Sequence, residues 1–300
     1  MAVVTEQPNI DLREPKGWRR NLNRIMTWLM VLSFILVIIP LVFVLVTVVI
    51  KGAPVISWTW LTTGPIPPNV APADVGGIGP AVLGTILITF WATLMAVPLG
   101  ILGAIYLNEY SGGRGLLGGL ISFFSDVMTG VPSIIMGLFL FSIWVVHFGF
   151  SGFAGALALG CLMLPIVIRS TYEMLRLVPD SLREGSYAVG ATKSRVTMTV
   201  VLPAALGGIV SGALLAVARA AGETAPLLFT ILGGLSTANP NVFSGANIAI
   251  PMLIFNNASS PYSGAQARAW GASLTLIVLA FLLMITARLV TARFSRYSRY

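Results

Sequence analysis

The sequence predicts an all-α fold, a polytopic membrane helix bundle with six transmembrane helices. Composition is the first reason: 56% of the 300 residues are hydrophobic and 9% are charged, where a soluble domain carries about a quarter charged residues. The second is continuity. Apolar runs longer than about 18 residues recur along the chain, each long enough to cross a hydrocarbon core of roughly 30 Å. The third is placement, because the polar residues gather in short segments between those runs, so that lipid acts as the solvent. A mean hydropathy of +0.90 agrees.

Taken in order, the runs are 25–50, 81–108, 117–147, 152–176, 200–232 and 268–292. The fifth is too long for one straight crossing, so it tilts strongly or lays part of its length at an interface. Residues 1–20 are polar and show neither a short apolar core nor a small-residue cleavage site, so the first run reads as a retained span. This divides the chain into a cytoplasmic segment 1–24, a transmembrane domain 25–293 and a cytoplasmic tail 294–300.

Orientation follows from the basic residues. Arg13, Lys16, Arg19, Arg20 and Arg24 precede the first run, and Arg114 follows the second. Arg169, Arg176, Arg183, Lys193 and Arg195 fall at or between the fourth and fifth, and Arg288, Arg293, Arg296 and Arg299 close the chain. Fifteen cations therefore stand on one side against Lys51 and Arg268 on the other, with Arg219 inside the membrane. Both termini are expected in the cytoplasm. The net charge of +8 is spread along the flanks of the runs and forms no single patch, which argues against a nucleic-acid partner.

Two longer external loops are expected, about 51–80 and 234–267. Pro65, Pro67, Pro68 and Pro72 make the first irregular, and Trp58 and Trp60 suit an interfacial belt. Cys161, the single cysteine, excludes an intrachain disulfide and reads as a small core residue. His147 stands without a second histidine, so no metal site or hydrolytic triad is arguable.

Charges within the runs mark candidate sites. Arg219 and Glu223 stand near the middle of the fifth run at i, i+4, which places both on one helix face. A charge at the bilayer centre costs roughly 2.5–3.5 kcal/mol on insertion scales, so such residues are functional by default. Small neighbours Ala220, Ala221, Gly222 and Ala225 let other helices approach. The competing reading is a structural ion pair. Arginine also matches oxyanion geometry better than lysine. Arg169, towards the cytoplasmic end of the fourth run, is either a second pathway charge or an ordinary snorkelling arginine. Asp126 precedes Thr129-Gly-Val-Pro-Ser133, where Pro132 should bend the helix and expose backbone; packing alone also accounts for such a kink.

The connector before the fifth run is the most informative segment. Pro179 and Asp180 can start a helix, Leu182, Ala188 and Ala191 give a compact face, and Gly190 breaks or turns the chain. Two short helical pieces bent at a glycine make a rigid knob. The spacing Glu184-Gly185-Ser186, then Gly190, then Val200, Leu202 and Pro203 resembles the coupling loop of binding-protein-dependent ABC importer permeases. That family has Glu-Ala-Ala, three residues, Gly, nine residues and Ile-x-Leu-Pro. Gly185 and Ser186 replace its two alanines with residues that are still small. The resemblance implies the type I ABC importer permease fold. It also implies that the loop 179–199, through Glu184, Gly185, Ser186, Ala188, Gly190, Leu202 and Pro203, docks on a cytoplasmic ATPase. No GxxxxGK[ST] sequence is present, so ATP is not bound here by that route. The resemblance assigns ATP and Mg to a separate subunit, with no cofactor on this chain.

Ala218-Arg-Ala-Ala-Gly-Glu-Thr-Ala-Pro-Leu-Leu-Phe-Thr230 narrows the likeness. With Ile168-Arg-Ser-Thr-Tyr-Glu-Met-Leu175 and Thr129-Gly-Val-Pro-Ser-Ile134, it is similar to the phosphate-specific permease subunits of PstA type. That family implies a bacterial inner-membrane heterodimer with a PstC-type permease and two copies of an ATP-hydrolysing subunit. A periplasmic or lipid-anchored phosphate-binding protein completes the set, and membrane lipid surrounds it. Arg169, Arg219 and Glu223 would be its transport-critical charges. A permease for another oxyanion, an ATP-independent secondary transporter and a membrane scaffold that moves no solute are the alternatives.

Overall fold

Most of the apolar runs become long single helices that tolerate an interior proline at Pro40, Pro98 and Pro165, and the chain bends only at a few positions. A computed structural model describes residues 17–67, 69, 76–111, 115–233 and 239–297. Pro68, Pro72, Arg13, Lys16 and Arg114 lie outside these residues, as do the side chains of Arg293, Arg296 and Arg299.

The described residues up to Val49 form a unit of their own. Its helix, α1 (Trp18–Gly52), is apolar around most of its circumference and carries Pro40 in its interior.

The second unit, residues 50–300, begins with α2 (Trp58–Thr62), whose first turn is capped by Ser57 accepting from the Trp60 N–H. Trp58 is exposed, as a belt residue would be, but Trp60 is not one. Its ring is 2% exposed and its Nε1 donates to Thr275 Oγ1 at 3.3 Å, so it is a core side chain with its polar edge satisfied. Next, α3 (Gly79–Ile105) runs on into a wide π-helical turn, Tyr106–Ser111.

The third run is not one straight crossing. It divides into α4 (Leu116–Gly130) and α5 (Ser133–Leu140), bent by 109°. Pro132 lacks an N–H and drives Val131 into extended backbone at ψ 126°, which ends the first helix. A second wide turn, Phe141–Val145, continues α5 into α6 (Val146–Phe148).

At the centre lies α7 (Gly152–Arg176), capped by the Ser151 hydroxyl. It packs along α3 through Ile88, Ala92, Ala96, Leu159, Met163 and Val167. At Gly100 a Cβ would stand 2.7 Å from Val167, so the two helices meet at glycine distance. Cys161 is half-buried against the cluster of Met136, Leu140 and Ala158.

After α7 come α8 (Asp180–Ala188) and α9 (Lys193–Val196), then a third wide turn, Thr197–Val201, and α10 (Leu202–Ala221). The excess length of the fifth run is a break. The helix stops at Ala221, Gly222–Thr224 turn the chain, and α11 (Ala225–Thr230) resumes with Pro in its first turn. The expected external loop 234–267 is not a plain connector either, since it contains α12 (Ile250–Ala258), which buries Ile250, Met252 and Leu253. Finally, α13 (Ser263–Tyr297) ends the described chain. Five helices are long and apolar enough to cross a membrane among the described residues, and the bent pair α4–α5 makes a sixth. No named strand occurs there; two isolated bridges, Ser151–Gly245 and Leu232–Asn247, tie the segment after α11 to its neighbours.

Candidate functional site

The corner between α4 and α5 forms a recess of about 290 Å³. Thr129, Gly130, Val131, Pro132 and Ser133 line one wall, Leu162, Pro165 and Ile166 of α7 another, and Arg219 of α10 a third. A helix interruption therefore meets a cation. Thr129–Ser133, for which a packing kink sufficed as an explanation, is brought to Arg219 by the bend. The first turn of α5 starts at this corner without a side-chain cap, so the positive end of its dipole lies there.

Arg219 and Glu223 do pair, with Nε to Oε1 at 3.6 Å. The geometry differs from the expected mid-helix pair, because Glu223 lies beyond the end of α10, past Gly222. At 3.6 Å the contact is an ion pair and not a hydrogen bond. The Arg219 side chain keeps 66% exposure against 19% for Glu223. The guanidinium is thus held loosely, with donors to spare.

Arg169 is elsewhere. Its guanidinium is hydrogen-bonded to Asp126 of α4, and both are well exposed. The pair belongs to a second recess of about 210 Å³, with Ser122, Ser125, Tyr172 and Glu173 in its lining. The two arginines expected to act together line separate recesses, one near each end of the Thr129–Asp126 turn of α4.

The knob has the local shape its residues dictate. Pro179 precedes α8, Asp180 occupies the first turn, and Gly190 at φ +83° lets the chain reverse into α9. The Gly190 and Ala191 N–H groups donate back to Tyr187 and Ser186 carbonyls. Glu184, Gly185 and Ala188 are exposed, Ser186 is half-buried, and a Cβ at Gly185 would meet nothing within 4 Å. Leu177, Leu182, Tyr187 and Val189 leave an apolar surface uncovered. Leu202 and Pro203 stand apart from this surface, half-buried in the first turn of α10.

One contact here was not read from the sequence. Arg183 donates from Nη1 to the Val178 carbonyl at 2.6 Å and to Asp180 Oδ1 at 3.0 Å. From Nη2 it donates to the Leu175 carbonyl at 2.9 Å and to Glu109 Oε1 at 3.1 Å. Asn108 Nδ2 holds the same carboxylate oxygen at 2.7 Å. Glu109 and Arg183 are 74 positions apart, and no spacing rule links them.

Among the described residues, no group of His, Cys, Asp and Glu could hold a metal. What the arrangement supplies is a polar corner with a lightly held cation inside an apolar bundle, and a small rigid projection at one end. That is the equipment of a membrane translocator driven from outside its own chain. The chain belongs to the family of binding-protein-dependent transport system inner membrane components, whose model matches residues 96–296. Such a chain is a multi-pass inner-membrane component of an importer, with ATP hydrolysis on a separate subunit.

Its relatives narrow the family further. The phosphate transport system permease protein PstA 1 of Mycobacterium tuberculosis strain H37Rv is 42% identical over 278 residues, 91% of this chain and 88% of that one. PstA of Yersinia pestis is 41% identical over 282 residues, 94% of each chain. Among solved structures, an inward-facing MetNI methionine ABC transporter chain matches at TM-score 0.56 and 19% identity, covering 75% of this chain and 95% of that one. A bacterial alginate ABC transporter, in complex with an alginate pentasaccharide-bound periplasmic protein, matches at 0.62 and 15%, covering 94% and 99%. At such identities the structures speak for the fold alone.

Proposed function

We propose that this chain is the membrane-spanning subunit of an ATP-driven importer that carries inorganic phosphate across the inner membrane by alternating access. The observation that carries the reading is the recess at the α4–α5 corner, where Arg219 faces an uncapped helix start across about 290 Å³. Anions are favoured at helix N-termini, and half-helix N-termini at membrane depth are a recurring means of holding them. The guanidinium fork matches a phosphate oxygen pair, and the volume leaves room for a small oxyanion with water at roughly 30 Å³ each. The PstA relatives support phosphate over other oxyanions.

In this mechanism, loaded binding protein docks on the external side and ATP closes the motor subunits. The loop 179–199 passes that motion to the spans. Glu184, Gly185, Ser186, Ala188 and Gly190 make the contact, with Leu202 and Pro203 anchoring the start of α10. Phosphate leaves Glu223 behind as it engages Arg219, and Arg169 with Asp126 borders the cytoplasmic half of the path. A PstC-type permease supplies the opposite wall, two ATP-hydrolysing subunits the drive, and a periplasmic or lipid-anchored phosphate-binding protein the cargo. Both termini, 1–24 and 294–300, face the cytoplasm.

The test is uptake of labelled phosphate into proteoliposomes that hold this chain with its co-purifying partners and binding protein, with unlabelled sulfate as competitor. Uptake that requires ATP and ignores sulfate is the expected result. Uptake by this chain alone without ATP would replace the reading with secondary transport. An assembled complex that hydrolyses ATP but takes up no phosphate would remove the cargo assignment.

A further inference from the structure

We infer that Arg183 is the positioning residue that links the projecting helix α8 to the membrane helices, so that a push on α8 moves α3 and α7 together. The inference rests on the reading of loop 179–199 as the contact with the ATPase.

Most of α8 is exposed, and the helix leaves the bundle through two short connections, Leu177–Pro179 and Val189–Thr192. Connections so short pass on a push only if they are tied to the helices beside them. The Arg183 fork closes the gap between them. Its two terminal nitrogens reach four acceptors: the Leu175 carbonyl at the end of α7, the Val178 carbonyl in the connection that follows, Glu109 in the wide turn that ends α3, and Asp180 within α8. The last carbonyls of a helix have no partner within it, so α7 offers acceptors where the guanidinium arrives. Glu109 is in turn fixed by Asn108.

Burial makes the link stiff. Arg183 and Glu109 side chains keep 14% and 5% exposure, and a charged hydrogen bond with little water around it is stronger and better oriented than the same bond in solvent. Around it, Ala104, Ile105, Leu175, Val178, Val196 and Val201 pack as one apolar cluster, so the joint has no slack. The far end of the lever is also defined. The helix whose Leu175 carbonyl Arg183 holds is α7, and the same helix presents Leu162, Pro165 and Ile166 to the Arg219 recess. Ten residues of helix between Pro165 and Leu175 span roughly 15 Å. A displacement of α8 thus reaches the recess wall through one rigid rod.

The test uses the complete importer in proteoliposomes and reads ATP hydrolysed per phosphate taken up. For Arg183→Gln, hydrolysis should stay within about twofold of wild type while uptake falls about ten-fold, so the ratio rises about five-fold or more. Arg183→Lys keeps a cation for Glu109 but not the fork, and its ratio should lie between. Because Arg183→Gln leaves Glu109 buried without its cation, the double variant Glu109→Leu, Arg183→Met accompanies it. Replacing both members of a buried pair by apolar side chains is often neutral for folding. That double variant should assemble normally and still show the raised ratio. A ratio equal to wild type in the double variant, or uptake and hydrolysis falling in step in all three, would reduce Arg183 to a stabilising contact and overturn the inference. Absence of ATP-dependent uptake in the wild-type complex would instead overturn the importer reading.

Discussion

Two arginine–glutamate pairs stand in the same helical unit and are built in opposite ways. Arg219 meets Glu223 at 3.6 Å with two-thirds of its side chain uncovered. Arg183 meets Glu109 at 3.1 Å, nearly covered, with three further acceptors around it. The first pair can open without leaving a stranded charge in a packed interior, and the second cannot. A cation that must exchange its counter-ion for a passing anion needs the first design. A joint that must not yield needs the second.

The sharpest way to break this comparison is Arg219→Gln. Uptake should fall on the order of 100-fold, equivalent to about 2.7 kcal/mol, while the amount of assembled complex stays the same. Normal uptake would take Arg219 out of the path. Next in size, Glu109→Ala should destabilise the purified protein by about 2–3 kcal/mol, because Arg183 loses its buried carboxylate and keeps only Asp180 and two carbonyls. Glu223→Ala should cost less than about 1 kcal/mol. Thermal unfolding in detergent of the two variants side by side measures the contrast, and equal shifts would erase it.

Glycine substitutions repeat the contrast with smaller effects. A Cβ at Gly137 would stand 2.6 Å from the Pro226 Cα, where α5 packs on α11, so Gly137→Ala should cost about 1–3 kcal/mol by overpacking. Gly185→Ala meets nothing within 4 Å and should raise helix stability by up to about 1 kcal/mol; any loss of function there would report contact with a partner and not damage to the fold. Smallest of all, Asp180→Asn keeps the Oδ1 acceptor for Arg183 but takes a negative charge from beside it and from the first turn of α8. That should cost about 0.5 kcal/mol, vanishing as salt is raised.

Legibility in the sequence followed distance along the chain. Unbroken apolar runs declared the long helices, and Pro179, Asp180 and Gly190 declared the knob because caps and turns are local chemistry. Arg219 and Glu223 were visible as charges in an apolar run, yet the helix end between them was not, since Gly222 is tolerated in membrane helices and did not announce a stop. The run Ile250–Phe255 is too short to register as a span, so the sequence shows α12 only as part of a loop. Trp60 looked like a belt residue because its role depends on Thr275, 215 positions away. Arg169 with Asp126 and Arg183 with Glu109 are likewise pairs that exist only once the helices are side by side.

The three wide turns carry a consequence for motion. Tyr106–Ser111, Phe141–Val145 and Thr197–Val201 each hold one residue more than an α-helical turn needs. A helix with such a surplus can pass it one step along its length, rotating the part beyond by roughly 100° and shifting it about 1.5 Å without melting. Two of these reserves lie beside the knob, one holding Glu109 and the other leading into α10. The chain therefore keeps spare screw-thread on either side of α8: the turn that ends α3 is pinned through Glu109, whereas the one before α10 lies outside that ion pair, so that α10 can twist against α3 and α7 as a unit while its own helix stays continuous.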